Sequence, residues 1–387
     1  MGSILKKFSH GLRTASVVAL LVVGTYAASA QLREGHPDTY VVKRGDTLWD
    51  IAGRFLQKPW LWPEIWQANP QIKNPHLIYP GDVISLAYLD RVGVTPGPRD
   101  EAPINAVPLS EVEAYLRDLR VVQSFRELPY VVGIEEDRTR YTRGRMVYVK
   151  GLEGASVGQR YAIVRPTVRY VRLKEARGTE SNQVRDYDYR GRHVPGYGWG
   201  WSESSANETG EELGHELYKV NAGAVTRLPE GDVEVTTVLL DSQEVEVRVG
   251  DRLIPVDAQP YDLQFFPHPP KQAIDPDRVR VLAVANSLTS GGTRDVVAIS
   301  AGSADGIDNG TVLSLWRQGS NVVDRVESSI LSRGEESVPR GQRVRLPDEY
   351  ASHVMIFRTF ENVSYGLIME STAPTRVGYR ARHPDAK

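Results

Sequence analysis

Hydrophobic and polar positions predict a small α+β unit near the N-terminal end of the chain. Within residues 38–88, a β-branched run at 39–42 precedes an apolar face of helical period from Leu48 to Phe55. Pro63 suits the first turn of a second helix, and an apolar strand pattern follows at residues 83–86. The predicted order is therefore strand, helix, helix, strand (βααβ).

A proline-rich stretch separates this unit from the rest of the chain. Residues 89–108 contain four prolines, so we expect a stiff, extended linker and a domain boundary. Ser110 and Glu113 then have the spacing of a capping box that opens a helix. Its apolar face consists of Val112, Tyr115, Leu116, Leu119 and Val122.

From Tyr130 onward, short β-branched runs separated by glycines predict a mainly antiparallel β region. The predicted fold is therefore multidomain, with a small α+β (βααβ) domain followed by a mainly-β C-terminal region. Residues 186–209 interrupt this pattern with aromatic residues and glycines and read as a long loop.

The β region contains an imperfect internal repeat. Residues 147–165 resemble residues 297–317, because each contains a strand, a glycine turn, a strand and a basic residue. An Arg-Leu-Pro sequence precedes an apolar strand at both 226–240 and 345–357. Chance similarity between glycine-punctuated hairpins is the alternative explanation.

The repeat predicts two related β modules. The first, together with the helix that precedes it, is expected at 109–257, and the second at 278–382.

The first thirty residues have the pattern of a cleaved signal peptide. Lys6, Lys7 and Arg13 occur without any acidic residue, an apolar run follows from Thr14, and Ala28-Ser29-Ala30 ends the segment. The apolar run is shorter than the roughly twenty residues that span a bilayer, so an uncleaved anchor is the weaker alternative. We expect residues 1–30 to be removed on export.

Composition narrows the possible functions. Removing residues 1–30 leaves 44 Lys and Arg against 49 Asp and Glu, a net charge of −5 that argues against a general nucleic-acid binder. The chain has no cysteine, which excludes disulfides, thiolate metal sites, cysteine nucleophiles and a lipidated N-terminal cysteine. We expect neither a cofactor nor a metal.

Three segments within residues 38–88 carry a family resemblance. They are YVVKRGDTLWDIA at 40–52, Trp66-x-x-Asn69-Pro70, and IYPGDVI at 78–84. Together they resemble a LysM domain over its whole length. The resemblance implies binding of N-acetylglucosamine-containing glycans, in bacteria chiefly peptidoglycan, and hence a periplasmic, wall-associated protein that is not a lipoprotein.

The resemblance implies a shallow glycan groove between two loops. Backbone N–H and C=O groups would bind the N-acetyl groups, while Ile78 and Pro80 offer apolar contact and Asp46 and Asn74 supply polar side chains at the rim. Turn geometry and helix capping are alternative roles for Gly45 and for Asp46 or Thr47. The candidate glycan-binding residues are Gly45, Asp46, Thr47, Leu48, Asn74, Ile78, Tyr79 and Pro80.

This LysM-like unit also contains an inserted run at residues 56–66. Four of the seven tryptophans of the chain lie in the unit: Trp49, Trp60, Trp62 and Trp66. Trp49 and Trp66 are expected in the core. For Trp60 and Trp62, core packing and stacking on sugar remain equal alternatives.

No catalytic motif is visible in the sequence. Its histidines are scattered, and neither a Gly-x-Ser-x-Gly elbow nor a phosphate-binding glycine loop occurs. The carboxylate cluster to test for glycosidase chemistry is Glu203, Glu211 and Glu212, although a solvated acidic loop is the favoured explanation of these residues.

In its domain organisation, the chain resembles the secretin-associated LysM proteins of type IV pili. That resemblance implies a non-catalytic protein whose LysM domain holds peptidoglycan and whose C-terminal region associates with an outer-membrane secretin, with ring formation as an expectation. The linker would set the reach between the two. A peptidoglycan hydrolase with an unrecognised active site and a LysM scaffold for another envelope complex are the alternatives.

Overall fold

The structure is a computed structural model. It describes residues 32–63, 78–88, 91–96, 109–135, 144–173, 210–241, 245–256, 266–284, 290–324 and 343–387. The predicted signal peptide, the aromatic stretch at 186–209 and most of the predicted second helix lie outside these residues.

The N-terminal unit begins with strand β1 (Thr39–Val41) and helix α1 (Leu48–Phe55). A short 3₁₀ helix, Pro59–Leu61, follows α1, and β2 (Val83–Tyr88) pairs antiparallel with β1. The strands and first helix of the predicted βααβ order are therefore present, whereas the second helix is only partly described. Of the two candidates, Thr47 caps α1, since its hydroxyl oxygen accepts the N–H of Asp50 at 3.1 Å.

Two features differ from the predicted connector and helix. Strand β3 (Arg91–Thr95) pairs with β2, so an ordered strand occupies the start of the proline-rich stretch. Helix α2 (Leu109–Asp118) ends before Leu119, and the apolar face predicted to reach Val122 was too long. Leu119–Val122 instead forms strand β4, in which the β-branched Val121 and Val122 pair with a later strand.

Six strands of the first β module form a closed antiparallel barrel. They are β5 (Tyr130–Ile134), β6 (Met146–Lys150), β7 (Arg160–Leu173), β8 (Gly210–Arg227), β9 (Thr236–Leu240) and β10 (Arg252–Pro255). The order around the barrel is β5-β6-β9-β8-β7-β10, and β10 pairs again with β5. The distal parts of β7 and β8 project beyond the barrel and, with β4, make a three-stranded arm.

The second module repeats this barrel. Its six strands are β11 (Val281–Val284), β13 (Val296–Ile299), β14 (Val312–Arg317), β17 (Glu349–Thr359), β18 (Ser364–Ser371) and β20 (Arg380–Arg382). The order is β11-β13-β18-β17-β14-β20, and a bridge between Arg280 and Arg380 closes it. Two small two-stranded sheets complete the module: β12 (Ser290–Gly291) with β19 (Thr375–Arg376), and β15 (Asn321–Val323) with β16 (Arg343–Arg345).

Numbered along the chain, the strands of both barrels follow the order 1-2-5-4-3-6. Equivalent backbone hydrogen bonds recur: the N–H of Gly250 donates to Val131 O at 2.8 Å, and that of Gly378 to Val281 O at 2.8 Å. The predicted equivalence of 147–165 with 297–317 is confirmed, since both segments contain parts of the second and third strands of a barrel and the glycine turn between them.

The predicted equivalence of residues 226–240 with residues 345–357 is wrong. Residues 235–240 contain the fifth strand of the first barrel, whereas residues 354–357 belong to the fourth strand of the second. Both strands are apolar because both face a barrel interior, and apolar composition does not identify a strand's partner. The true counterparts are β8 with β17 and β9 with β18.

The second barrel is the centre of the molecule. A continuous apolar cluster joins α1, α2 and the arm to its outer face, and includes Trp62, Val112, Leu213 and Phe357. The arm makes a polar contact as well, because the hydroxyls of Tyr170 and Tyr365 both donate to Glu216, at 2.7 and 2.6 Å. Among the helices of the described ranges, none is both long and apolar enough to cross a membrane.

Candidate functional site

Two loops of the N-terminal unit lie side by side because β1 pairs with β2. Val42, just after β1, donates its N–H to Asp82 O at 2.8 Å and accepts the N–H of Gly81 at 2.8 Å. The turn before α1 and the turn before β2 are thereby joined. The predicted neighbours 45–48 and 78–80 are brought together, while Asn74 lies outside the described residues.

The first loop turns at Gly45 and is held by Asp46. Gly45 has φ +87°, a conformation that favours glycine, and a Cβ there would meet no atom within 4 Å. Asp46 Oδ2 accepts the Tyr40 hydroxyl and the Lys43 N–H, each at 2.8 Å. Burial, and then the bond to Asp46, raise the pKa of Tyr40. Asp46 therefore fixes the loop whether or not it contacts a ligand.

Several candidate side chains are buried under the loops. Leu48 and Ile78 are only 2% and 1% exposed, and Thr47 is occupied as the helix cap. Tyr79 and Pro80 are half-buried, and the Tyr79 N–H donates to Asp82 Oδ2 at 2.9 Å. The pair of loops thus offers a ligand the exposed Gly45 together with Tyr79 and Pro80, whereas Leu48 and Ile78 belong to the core.

Asp82 is a positioning residue that sequence reasoning left out of the site. It is fully buried, and its carboxylate and backbone both fix the second loop. Its place directly after a Pro-Gly turn was the available signal, since Asp commonly accepts nearby backbone N–H groups in turns.

The inserted run packs against the second barrel. Trp60 and Trp62 are 4% and 1% exposed, which settles both residues as core rather than as sugar platforms. The Trp60 ring lies 4.5 Å from the His353 imidazole, and the Trp62 ring lies 6.1 Å from that of Phe266. Trp49 is buried as expected, and Trp66 lies outside the described residues.

One ion pair crosses this interface, and hydrogen bonds within the second barrel position His353 against Trp60. His353 Nδ1 lies 2.6 Å from Glu370 Oε1 and 2.7 Å from the Tyr350 hydroxyl, and Lys58 pairs with Asp385 at 2.6 Å. The hydrogen bond from His353 holds the pKa of Glu370 below its ordinary value. The N-terminal unit is therefore docked on the second barrel, so the linker does not by itself set the distance between them.

The proposed carboxylate cluster is drawn into ion pairs in the arm. Glu212 contacts Arg169 at 2.9 Å and His215 at 2.8 Å, while Glu211 contacts Arg172 at 3.1 Å. Burial acts to raise the pKa of Glu212, but His215 and Arg169 outweigh it and lower the pKa. A carboxyl with a lowered pKa is poorly suited to be a general acid. Glu203, Trp199 and Trp201 lie outside the described residues.

Comparison with known proteins assigns the class of the N-terminal unit. Residues 40–87 match the LysM domain family. The chain thus carries a LysM domain, a module that binds the N-acetylglucosamine-containing glycan of peptidoglycan, ahead of a β-rich region.

A relative from Bacillus subtilis (strain 168), the "Uncharacterized protein YqbP", is 40% identical over 60 residues. The aligned part covers 13% of this chain and 27% of that protein. The similarity is therefore that of one domain, and the chain spans about a quarter of the relative's length.

Proposed function

We propose that this is a non-catalytic periplasmic protein, exported by a cleaved signal peptide, that binds peptidoglycan through its LysM domain and anchors or aligns an envelope assembly. The observation that supports it is the pair of joined loops at 45–48 and 78–80 within a LysM domain. The backbone at the exposed Gly45 and the half-buried Tyr79 and Pro80 would meet an N-acetyl group, which needs one donor and one acceptor.

The partner in this proposal is an outer-membrane secretin, most simply that of type IV pili. Support comes from the overall plan of the chain, an N-terminal LysM domain followed by a large β region. The two barrels follow the LysM domain and contribute no residue to its two loops, so a partner could bind them separately from the glycan. Pull-down from solubilised envelopes with the chain from residue 31 onward tests this partner, and failure to recover a secretin would contradict it.

Wall binding is tested by sedimentation with purified sacculi. Gly45→Val forces a β-branched residue into φ +87° without any steric neighbour, so it reshapes the first loop alone. We expect the bound fraction to reflect an affinity loss on the order of tenfold, as when backbone donors are displaced.

Gly231→Val is the matched control, because Gly231 also has positive φ and open space but lies in the first barrel. Equal sedimentation of Gly45→Val and the unmodified protein would contradict the placement of the groove. Release of soluble muropeptides by the unmodified protein would instead favour a hydrolase.

A further inference from the structure

A cleft of about 460 Å³ lies where the LysM domain meets the second barrel; we call it the seam cleft. One wall is the flank of α1 and the residues around it, including Arg33, Asp50, Arg54 and Gln57. The opposite wall is β18, with Met369 and Glu370. A cleft of this size falls within the usual range of ligand sites.

The seam cleft begins close to the glycan groove. Thr47, in the first loop of the groove, donates its hydroxyl to Asp50 Oδ2 at 2.8 Å, and Asp50 lines the cleft. The cleft therefore starts within one helical turn of the groove and extends along α1 away from it. A ligand seated in the groove could place a side branch in the cleft.

The side chains that line the seam cleft favour a ligand that carries charges of its own. Two guanidinium groups, Arg33 and Arg54, belong to exposed residues, and the carboxylates of Asp50 and Glu370 are 43% and 46% exposed. The bonds to Glu370 from His353 and Tyr350 both use Oε1. Cations and anions facing one cleft complement a ligand that itself carries both charges.

The seam cleft is also held in shape. Arg33 donates to Gly53 O at 3.0 Å, and Arg54 lies over the Tyr40 ring at 4.5 Å. Two contacts keep the walls together: the Trp60 ring packs on His353, and Lys58 forms an ion pair with Asp385. Pre-positioned charges favour binding because less ordering is needed when the ligand arrives.

We propose that the seam cleft binds the short peptide that branches from the peptidoglycan glycan strand, with its carboxylate at Arg33 and Arg54 and its amino group at Asp50 and Glu370. The inference rests on the proposed function, since the glycan must first occupy the groove. It makes wall recognition a joint property of the LysM domain and the second barrel.

Calorimetric titration of the chain from residue 31 onward tests the inference with two probes. One is a GlcNAc–MurNAc tetrasaccharide that carries its peptides, and the other is the same tetrasaccharide after an amidase has removed them. We expect the peptide-bearing probe to bind about tenfold more tightly, the effect of a charge-assisted hydrogen bond or two. Equal affinities would overturn the inference alone, while binding of neither probe would overturn the proposed function as well.

Two variants on opposite walls assign the effect to the cleft. Arg54→Gln and Glu370→Gln should each reduce the preference for the peptide-bearing probe and leave affinity for the amidase-treated probe unchanged. Arg227→Gln in the first barrel, which matches the charge change of Arg54→Gln, should preserve the preference. A preference that survives both cleft variants would overturn the inference.

Discussion

At the scale of single residues, the LysM loops depend on carboxylates that accept backbone N–H groups. Asp46 holds the first loop and the buried Asp82 holds the second. Each Asp occupies a turn, where its short side chain reaches the backbone nearby. The two loops of the LysM domain are therefore shaped mainly by residues that need not touch a ligand.

Asp46→Ala removes the acceptor for both Tyr40 and Lys43. Because two partly exposed hydrogen bonds are lost, we expect the free energy of unfolding to fall by about 1 kcal/mol. Urea unfolding followed by tryptophan fluorescence measures it. Asp38→Ala, at an exposed position eight residues earlier, is the control, and an equal effect of both variants would contradict the role given to Asp46.

Glu370 should make stability depend on acid pH. Its pKa lies below the ordinary 4.5, chiefly through the His353 hydrogen bond, so its stabilising effect is present above pH 4.5 and is lost as pH falls through the lowered value. We expect the free energy of unfolding to drop less between about pH 6 and pH 3 in Glu370→Gln than in the unmodified protein. Glu361→Gln, an exposed control, should show the full drop.

At the scale of elements, the arm of β4, β7 and β8 links the two barrels. Glu216 is 9% exposed and lies on β8, yet one of its two tyrosine donors, Tyr365, belongs to β18 of the other barrel. Burial and the neighbouring Glu216 raise the pKa of Tyr365, so its hydroxyl remains a donor at neutral pH. The arm is therefore fixed to the second barrel rather than free in solvent.

Tyr170→Phe and Tyr365→Phe should not be additive. The two hydroxyls share Glu216 Oε2 and lie 3.4 Å apart, so removing one changes what the other contributes. We expect a coupling energy of about 1 kcal/mol in a double-mutant cycle of urea unfolding. Tyr148→Phe, in the first barrel, should be additive with either, and additive behaviour of the Tyr170–Tyr365 pair would contradict the shared site.

At the scale of the whole molecule, two closed barrels explain how a cysteine-free chain builds stable β modules. Each barrel satisfies its strand edges by closure, and each interior is filled by buried aliphatic residues such as Val131, Val147, Val297 and Leu313. Cores of this kind need no disulfide.

Docking of the LysM domain should depend on Trp60. Trp60→Ala empties a buried indole site against His353 and should destabilise the interface by about 3–5 kcal/mol. We expect faster amide exchange in β17 around His353 and in α1. Lys58→Gln, which breaks a half-exposed ion pair at the same interface, should have a much smaller effect, and equal exchange in both variants would contradict a tryptophan-dominated interface.

Local patterns predicted much of this structure. Helix α1 has the predicted ends because its capping Thr47 and its apolar period lie within eight residues of each other. Strands β6, β7, β13 and β14 were recognisable from glycine turns, and all four of those glycines, Gly154, Gly158, Gly306 and Gly310, have positive φ. Such features are encoded by neighbours in sequence.

Contacts between distant segments were not predictable in the same way. Leu119–Val122 has both helical spacing and β-branched residues. It forms a strand because it pairs with β8, a contact that its local sequence does not reveal. Trp60 faced two possible environments until His353, almost 300 residues later, was placed beside it. The two loops of the LysM domain were predictable from local sequence. The seam cleft was not, because its walls include Arg33 and Glu370 from opposite parts of the chain.

The two outermost parts of the described residues both contact α1 or the inserted run, which has a topological consequence. Leu32 forms a bridge with Leu56, and Asp385 pairs with Lys58 two residues further on, so residues from both ends of the described chain converge on one short segment. Residue 32 and residue 385 thus lie near each other, although 353 residues separate them in the sequence. A proteolytic nick after residue 96 would leave the LysM domain attached to the second barrel through its buried tryptophans. A circular permutant that joins residue 387 to residue 32 and begins at residue 97 should keep the same fold.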